Sequence, residues 1–281
     1  MSIGFIGLGN IGAPMAQQLL KLGEEVCVYD VAEARVAELV ARGARGCSSA
    51  RELAERCRLI GLCVRDEADI ESLLRGPAGL LEHMAADSII AVHSTVTQAA
   101  ILGWGRAAQA HGIQFTDAPV TGGAAGAQAG TLTYMVGGES ATLERCRPAF
   151  MTSAQRLIHA GPLGAGILLK LCNNLMTYAA FTAIDEADRL ARAGHLDPAL
   201  LIEVGRANGV VTPQMEAFLA NRGRLGAAGV QLLQQTFAPF ASLAEKDLAA
   251  ALASARQLQL ELPGTERVAA LISRVFLNHG N

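Results

Sequence analysis

Strand-like and helix-like segments alternate over the first 160 residues, and this alternation limits the possible folds more than any other feature of the chain. Short runs rich in apolar and branched residues lie at 2–7, 25–30, 59–64, 88–93, 113–118, 131–136 and 156–161. Helix-like stretches follow the earlier runs, at about 11–22, 33–42, 67–75 and 97–111. A succession of strand, helix and strand predicts a mainly parallel sheet with right-handed crossovers, which is an α/β architecture.

The pattern changes after Gly161-Pro162, because residues 163–281 contain helical windows and breaks but no strand pattern. We therefore predict an α/β domain over residues 1–162 and an all-α domain over residues 163–281. Nothing interrupts the first helical window between Gly166 and about Ala193. At 1.5 Å per residue this long interdomain helix is roughly 40 Å long. It is apolar on most sides, so we expect it to be the buried spine of the second domain.

Composition excludes several classes of protein. A chain that is 51% apolar can build a core, and a net charge of −3 argues against nucleic-acid binding. Six cysteines form neither a CxxC pair nor a cluster at metal-ligand spacing, which indicates reduced thiols, a cytoplasmic protein and no metal site. The most apolar stretch, 167–184, contains Lys170, Asn173 and Asn174 and is a poor membrane span. The N-terminus begins with a strand pattern rather than a signal peptide.

A glycine-rich turn follows the first strand and opens the first helix. Gly7, Gly9 and Gly12 have the spacing that lets a backbone turn tightly and approach a pyrophosphate at a helix N-terminus. The spacing alone also fits a purely structural turn. Asp30 ends the second strand, where a carboxylate hydrogen-bonds ribose hydroxyls and repels a 2′-phosphate, so we predict NAD as the cofactor rather than NADP. Arg35 is the residue that could instead approach a 2′-phosphate.

Two further segments carry candidate chemistry. Thr121-Gly122-Gly123 follows a proline and is either a flexible surface loop or a nest of backbone N–H groups suited to a carboxylate. Lys170 and Asn174 are spaced i, i+4 and share one face of the long helix. A lysine in this position either extends to solvent or, when desolvated, has a lowered pKa and exchanges a proton with a substrate hydroxyl.

Four segments occur in a characteristic order: GLGNIGAPMAQQL (7–19), DAPVTGGAAGAQAGTLTYMVGG (117–138), GAGILLKLCNN (164–174) and KDL (246–248). Together they closely resemble the β-hydroxyacid dehydrogenases. That family includes 3-hydroxyisobutyrate dehydrogenase and tartronate semialdehyde reductase and is related to 6-phosphogluconate dehydrogenase. The resemblance implies a Rossmann-type N-terminal domain, a helical C-terminal domain for substrate binding and oligomerisation, and a homodimer or homotetramer.

The resemblance also implies roles for individual residues. Lys170 would be the general acid/base, and Asn174 would hydrogen-bond the substrate. The substrate carboxylate would be held by Thr121, Gly122 and Gly123. The residues implied to hold the cofactor are Gly7, Gly9, Asn10, Ile11, Gly12, Asp30, Ser94, Thr95 and Lys246. Among them, Ser94 and Thr95 would lie beside the nicotinamide ribose, and Lys246 immediately precedes Asp247.

The expected reaction is NAD-dependent oxidation of a small 3-hydroxy carboxylate, or reduction of the semialdehyde in reverse. Three departures from the family pattern bear on the substrate pocket: Thr121 replaces the usual Ser, Thr97-Gln98 replaces Ser-Pro, and the segment from Phe237 to Lys246 is about two residues shorter. The alternatives are an imine reductase, whose relatives typically lack the lysine at position 170, and a non-catalytic NAD-binding interaction module. Lys170 and Asn174 are both present and disfavour these alternatives.

Overall fold

The computed structural model describes residues 2–277. Its strands are β1 (Ile3–Ile6), β2 (Val26–Tyr29), β3 (Arg45–Gly46), β4 (Leu59–Leu62), β5 (Ile89–Val92), β6 (Gln114–Asp117), β7 (Val120–Thr121), β8 (Leu132–Gly137) and β9 (Ala154–Gly161). The helices that lie between the strands are α1 (Gly12–Leu19), α2 (Glu33–Val40), α3 (Ala50–Arg56), α4 (Glu67–Leu74), α5 (Leu80–His83), α6 (Gln98–Ala110), α7 (Gly123–Ala129) and α8 (Ser140–Phe150). The helices that follow the last strand are α9 (Ala165–Ala193), α10 (Pro198–Ala207), α11 (Pro213–Ala227), α12 (Val230–Gln257) and α13 (Pro263–Leu277). A 3₁₀ turn at Leu20–Leu22 extends α1.

One sheet organises the first part of the chain. Its strand order is β3-β2-β1-β4-β5-β6-β8-β7, and β9 pairs with β8. The six strands from β3 to β6 are mutually parallel, while β8 runs antiparallel to β6 and β7. The mainly parallel sheet predicted from the sequence is therefore confirmed. Because the strand order reverses between β1 and β4, the carboxyl ends of these strands form the crevice in which α/β sheets bind ligands.

Both faces of this sheet are buried. Along β5, Ile89 and Ala91 belong to one hydrophobic cluster, and Ile90 and Val92 belong to another. Successive side chains of a strand point to opposite faces, so the two clusters cover the two sides. This explains why the parallel strands appear in the sequence as continuous apolar runs.

All seven predicted strands are present, and so are the predicted helices. The sequence analysis did not predict β3 and β7, which contain two residues each, too few to show a periodicity. It also gave no helix for α3, α5, α7 or α8. The α7 sequence, GAAGAQA, has no apolar stripe, and α8 contains Pro148.

The chain divides into two compact units, the first ending at Lys170 and the second beginning at Leu171. The division falls inside α9, whereas the boundary predicted from sequence texture precedes that helix. The second unit is helical throughout its described part, residues 171–277. Its core contains stacked and edge-on contacts among four aromatic rings, those of Phe181, Phe218, Phe237 and Phe276.

Helix α9 matches its predicted extent but is less buried than expected. Met176 is 64% exposed and Leu190 is 76% exposed. By length and hydropathy alone the helix could cross a membrane. However, its buried Asn174 hydrogen-bonds Asp247, and its buried Asp185 forms an ion pair with Arg222, both within the second unit. Buried polar groups with partners of this kind are typical of a helix in a protein core.

Candidate active site

The glycine turn after β1 combines two structural glycines with one that faces open space. Gly7 has a φ of +93°, and a Cβ on it would lie 2.2 Å from the carbonyl oxygen of Cys63. A Cβ on Gly12 would lie 1.9 Å from the Gly7 oxygen. In contrast, a Cβ on Gly9 would have no neighbour within 4 Å among residues 2–277. The turn therefore needs Gly7 and Gly12 for its own packing, and at Gly9 it leaves bare backbone that a ligand can approach.

Asp30 lies at the end of β2 and is tied to this turn. Its Oδ2 accepts a hydrogen bond from the Leu8 N–H at 2.6 Å, and its Oδ1 accepts one from the Ala32 N–H at 2.8 Å. The half-exposed Arg35 places Nη1 3.6 Å from the same Oδ1. Asp30 thus fixes the shape of the glycine turn, and Arg35 lies close enough to influence the charge there.

The end of β5 contributes Ser94 and Thr95 to the same edge of the sheet. The buried Ser94 hydroxyl donates to the Val64 carbonyl and accepts from the Val64 N–H, both at 2.8 Å. Ser94 therefore joins the ends of β4 and β5, whereas Thr95 is half-buried. Thr97 caps α6 by accepting from the Ala100 N–H, so the departure from Ser-Pro leaves a helix that begins at Gln98.

The segment Thr121-Gly122-Gly123 forms a turn between β7 and α7. Gly122 has a φ of +125° and Gly123 a φ of +64°, conformations that favour glycine. In the described part of the chain, a Cβ on Gly123 would have no neighbour within 4 Å, so the backbone there is open, as it is at Gly9. The first N–H groups of any helix lack partners inside that helix. Thr121 is half-buried at the start of this turn.

Lys170 lies in the second turn of α9 and is half-buried. It is the last residue of the first unit, which also contains the glycine turn, Asp30, Ser94 and the Thr121 turn. The glycine turn, Asp30 and Ser94 follow β1, β2 and β5, and these strands are parallel, so their carboxyl ends lie at the same edge of the sheet. The Thr121 turn follows β7.

In the second unit, Asn174 belongs to a polar cluster centred on Asp247. The Asn174 side-chain amide donates to Asp247 Oδ2 at 2.7 Å, and the Tyr178 hydroxyl donates to the same oxygen at 3.1 Å. Lys246 Nζ lies 2.9 Å from Asp247 Oδ1. Burial and the nearby carboxylate raise the pKa of Tyr178, which keeps its hydroxyl protonated as a donor. The sequence analysis missed Tyr178, although its i, i+4 spacing from Asn174 places both on one helix face.

Comparison with known proteins identifies the family. The protein-family model for the NAD binding domain of 6-phosphogluconate dehydrogenase matches residues 2–161, more than half of the chain. The 3-hydroxyisobutyrate dehydrogenase of Pseudomonas aeruginosa is 34% identical over 290 residues, which cover 99% of this chain and 91% of the relative. The chain belongs to the β-hydroxyacid dehydrogenase family.

Two further relatives of this β-hydroxyacid dehydrogenase are informative. An NAD-dependent L-serine dehydrogenase of Pseudomonas aeruginosa is 39% identical over 204 residues, covering 73% of this chain and 68% of the relative. The solved structure of Mycobacterium tuberculosis 3-hydroxyisobutyrate dehydrogenase with L-serine has a TM-score of 0.83 and 27% identity. It covers 97% of this chain and 92% of that one. The Rossmann-type domain followed by a helical domain, predicted from the sequence, is confirmed.

The first unit of this β-hydroxyacid dehydrogenase is an NAD-binding domain, and its geometry fits the cofactor. The open backbone at Gly9 is where a pyrophosphate can approach the turn, and the Asp30 carboxylate lies at the end of the neighbouring strand, where a ribose is bound in such folds. The residue roles that the resemblance implies remain predictions.

Proposed function

We propose that this protein oxidises a small 3-hydroxy carboxylate with NAD, or reduces the corresponding semialdehyde in the reverse direction. The observation that carries the proposal is the combination of an NAD-binding domain with Lys170 and Asn174 one turn apart on α9. Lysine and a neutral amide at this spacing provide a proton acceptor and a hydrogen-bonding group for one substrate hydroxyl.

The named relatives suggest the substrate class. L-Serine and 3-hydroxyisobutyrate both carry a hydroxymethyl group on the carbon next to a carboxylate. We propose a substrate with the same unit, held through its carboxylate by the backbone N–H groups of the Thr121–Gly123 turn. The methyl group that Thr121 adds relative to serine narrows this side of the pocket and favours a small substituent on the α-carbon.

The residues of this chain would share the work as follows. Lys170 accepts the proton of the substrate hydroxyl, and for this its amine must be neutral when the substrate binds. Asp247 accepts from the Asn174 side-chain Nδ2, and because a carboxylate only accepts, this fixes the orientation of the Asn174 amide. Asp30 and the glycine turn hold NAD, with Ser94, Thr95 and Lys246 as the other residues proposed for it. When bound, NAD takes a hydride from the carbon that bears the hydroxyl.

Steady-state assays on the purified protein test the proposal. The panel contains 3-hydroxyisobutyrate, L-serine and D-glycerate, with lactate and 3-hydroxybutyrate as controls that lack the hydroxymethyl group on the α-carbon. We measure turnover by the absorbance of reduced nicotinamide. We expect NAD-dependent turnover with one or more of 3-hydroxyisobutyrate, L-serine and D-glycerate, and none with the two controls. NAD binding without turnover of any member would instead support a binding module. No oxidation of any member, together with reduction of a cyclic imine by reduced nicotinamide in a separate assay, would support an imine reductase.

We also propose a cytoplasmic homo-oligomer. The second unit exposes large apolar side chains on several helices, among them Met176, Leu190, Val204 and Phe240. Apolar surface of this extent is typical of a subunit interface. All six cysteines are free thiols, which suits a reducing compartment. Light scattering at micromolar concentration should give at least twice the 29.3 kDa chain mass, and a monomer would contradict the proposal.

A further inference from the structure

Asp117, the last residue of β6, is a fully buried carboxylate to which the proposed chemistry gives no role. Its Oδ1 accepts a hydrogen bond from the Gly164 N–H at 2.8 Å, and its Oδ2 accepts one from the Ile167 N–H at 2.6 Å. Both amides belong to the start of α9, where a helix has N–H groups without partners of its own. Asp117 therefore caps α9 from a strand that is 47 and 50 residues distant along the chain.

The main chain is packed closely around this carboxylate. A Cβ on Gly137 would lie 2.4 Å from Asp117 Oδ1 and 2.7 Å from the Gly166 nitrogen. A Cβ on Gly166 would lie 2.4 Å from the Met135 oxygen. Strand β8 and the first turn of α9 thus contact each other backbone to backbone. With no flexible side chain between them, the start of the helix has little freedom to shift.

From Asp117 the chain continues through Ala118, Pro119 and β7 to the Thr121–Gly123 turn. Immediately after Asp117, the Ala118 N–H donates to the Val92 carbonyl at 2.8 Å. The Ala118 carbonyl contacts His93 Nδ1 at 2.8 Å, and burial lowers the pKa of His93 to about 4. The imidazole is therefore neutral at pH 7 and donates its Nδ1 proton to that carbonyl. Ala118, the residue that follows Asp117, is thus held through both its N–H and its carbonyl by the end of β5.

Lys170 lies three residues after Ile167, one helical turn beyond the amide that Asp117 holds. A shift or fraying of the first turn of α9 would move the Lys170 amine relative to the Thr121–Gly123 turn. All these residues lie in the first unit. Because a misplacement of about 1 Å in a reacting group costs on the order of 100-fold in rate, the anchoring of this turn matters for chemistry as well as for stability.

We propose that Asp117 is a positioning residue, whose carboxylate holds the first turn of α9 so that Lys170 faces a substrate bound at the Thr121–Gly123 turn. The inference rests on the proposed function. An ionised carboxylate accepts hydrogen bonds on both oxygens without carrying a donor, whereas a protonated one has an O–H donor on one of them. Burial raises the pKa of Asp117, and the hydrogen bonds from the Gly164 and Ile167 amides oppose that rise.

The test is Asp117→Asn, which keeps the shape of the side chain but places an NH₂ group against one of the two backbone N–H donors. We expect kcat to fall at least tenfold, while KM and the NAD dissociation constant stay within threefold of wild type. The matched control is Thr116→Val on the same strand, because Thr116 is also fully buried and donates to the Gly137 carbonyl at 2.7 Å. It should lower the melting temperature and leave kcat unchanged. A smaller loss of kcat in Asp117→Asn overturns the proposal.

A second measurement does not depend on turnover. The chain has three lysines, Lys21, Lys170 and Lys246, so ¹³C-dimethylation gives a simple NMR spectrum that Lys170→Arg assigns. We expect Asp117→Asn to move the Lys170 signal and leave that of Lys21 in place, and an unmoved Lys170 signal overturns the proposal. If wild type turns over no substrate but the Lys170 signal moves, the proposed function has failed and the positioning has not. If Asp117→Asn does not fold, Asp117→Ser, which keeps one short acceptor, is measured with the same expectations.

Discussion

Replacing Gly9 with alanine should separate cofactor binding from folding. Because a Cβ at this position meets no described residue within 4 Å and the backbone φ lies outside the left-handed region, the folded state accommodates the methyl group. Gly→Ala at a compatible position restricts the unfolded chain, so we expect the free energy of unfolding to rise by between about 0 and 1 kcal/mol. The bound pyrophosphate, in contrast, must approach the bare backbone that this methyl group would cover.

The expected loss of affinity follows from one contact. A hydrogen bond between a backbone N–H and a charged phosphate oxygen is worth about 1.5–3 kcal/mol. Its loss corresponds to an NAD dissociation constant raised about 10- to 150-fold, since each 1.4 kcal/mol is a factor of ten. Gly12→Ala provides the contrast, because its Cβ would lie 1.9 Å from the Gly7 carbonyl oxygen. It should lose both NAD binding and about 1–3 kcal/mol of stability or more.

Calorimetric titration with NAD and urea unfolding on the same preparations supply the two numbers. Gly223→Ala is the control: this exposed glycine inside α11 also has open space around its Cβ. It should gain up to about 1 kcal/mol of stability from helix propensity and bind NAD as wild type does. A Gly9→Ala protein with wild-type NAD affinity would refute the assignment of the open backbone at Gly9 to the pyrophosphate.

Three other outcomes test the remaining parts of the site. The kcat/KM with NAD should exceed that with NADP at least about tenfold, because Asp30 repels a 2′-phosphate; a preference for NADP would assign the recognition to Arg35. Lys170→Arg and Lys170→Ala should each lose about 10²–10⁴-fold in kcat with unchanged NAD affinity, since a guanidinium does not release its proton near pH 7. An arginine variant whose kcat lies within tenfold of wild type would leave Lys170 as an electrostatic anchor. Burial lowers the pKa of His93 from 6.5 to about 4, so between pH 7.5 and pH 5 the unfolded chain takes up a proton that the folded chain does not. Over this range the free energy of unfolding should therefore fall by about 2 kcal/mol more in wild type than in His93→Gln. Parallel pH profiles of the two proteins in chemical unfolding would show that His93 is not buried in its neutral form.

Most of the sheet could be predicted because each buried parallel strand is a continuous apolar run between breaks. Strands β3 and β7 could not, since two residues form a strand only by pairing with a neighbour already in place. The glycine turn after β1 was also predictable, because it is a local structure. The spacing of its three glycines and the position of Asp30 at a strand end are visible in the sequence, and the structure shows in addition that Asp30 accepts from the Leu8 amide.

The polar contacts that hold α9 are of another kind, because their partners are distant in the chain. Asp117 bonds amides 47 and 50 residues away, and Asp247 accepts from side chains 69 and 73 residues away. From the sequence one could argue that an aspartate ending a buried strand must have hydrogen-bond partners, since an unpaired buried charge is too costly. The identity of those partners depends on which backbone meets the strand, and that is a property of the packed fold. For this reason the sequence identifies Lys170 and Asn174 as candidates, while the carboxylates that bind the start of α9 and the Asn174 amide emerge only in the three-dimensional structure.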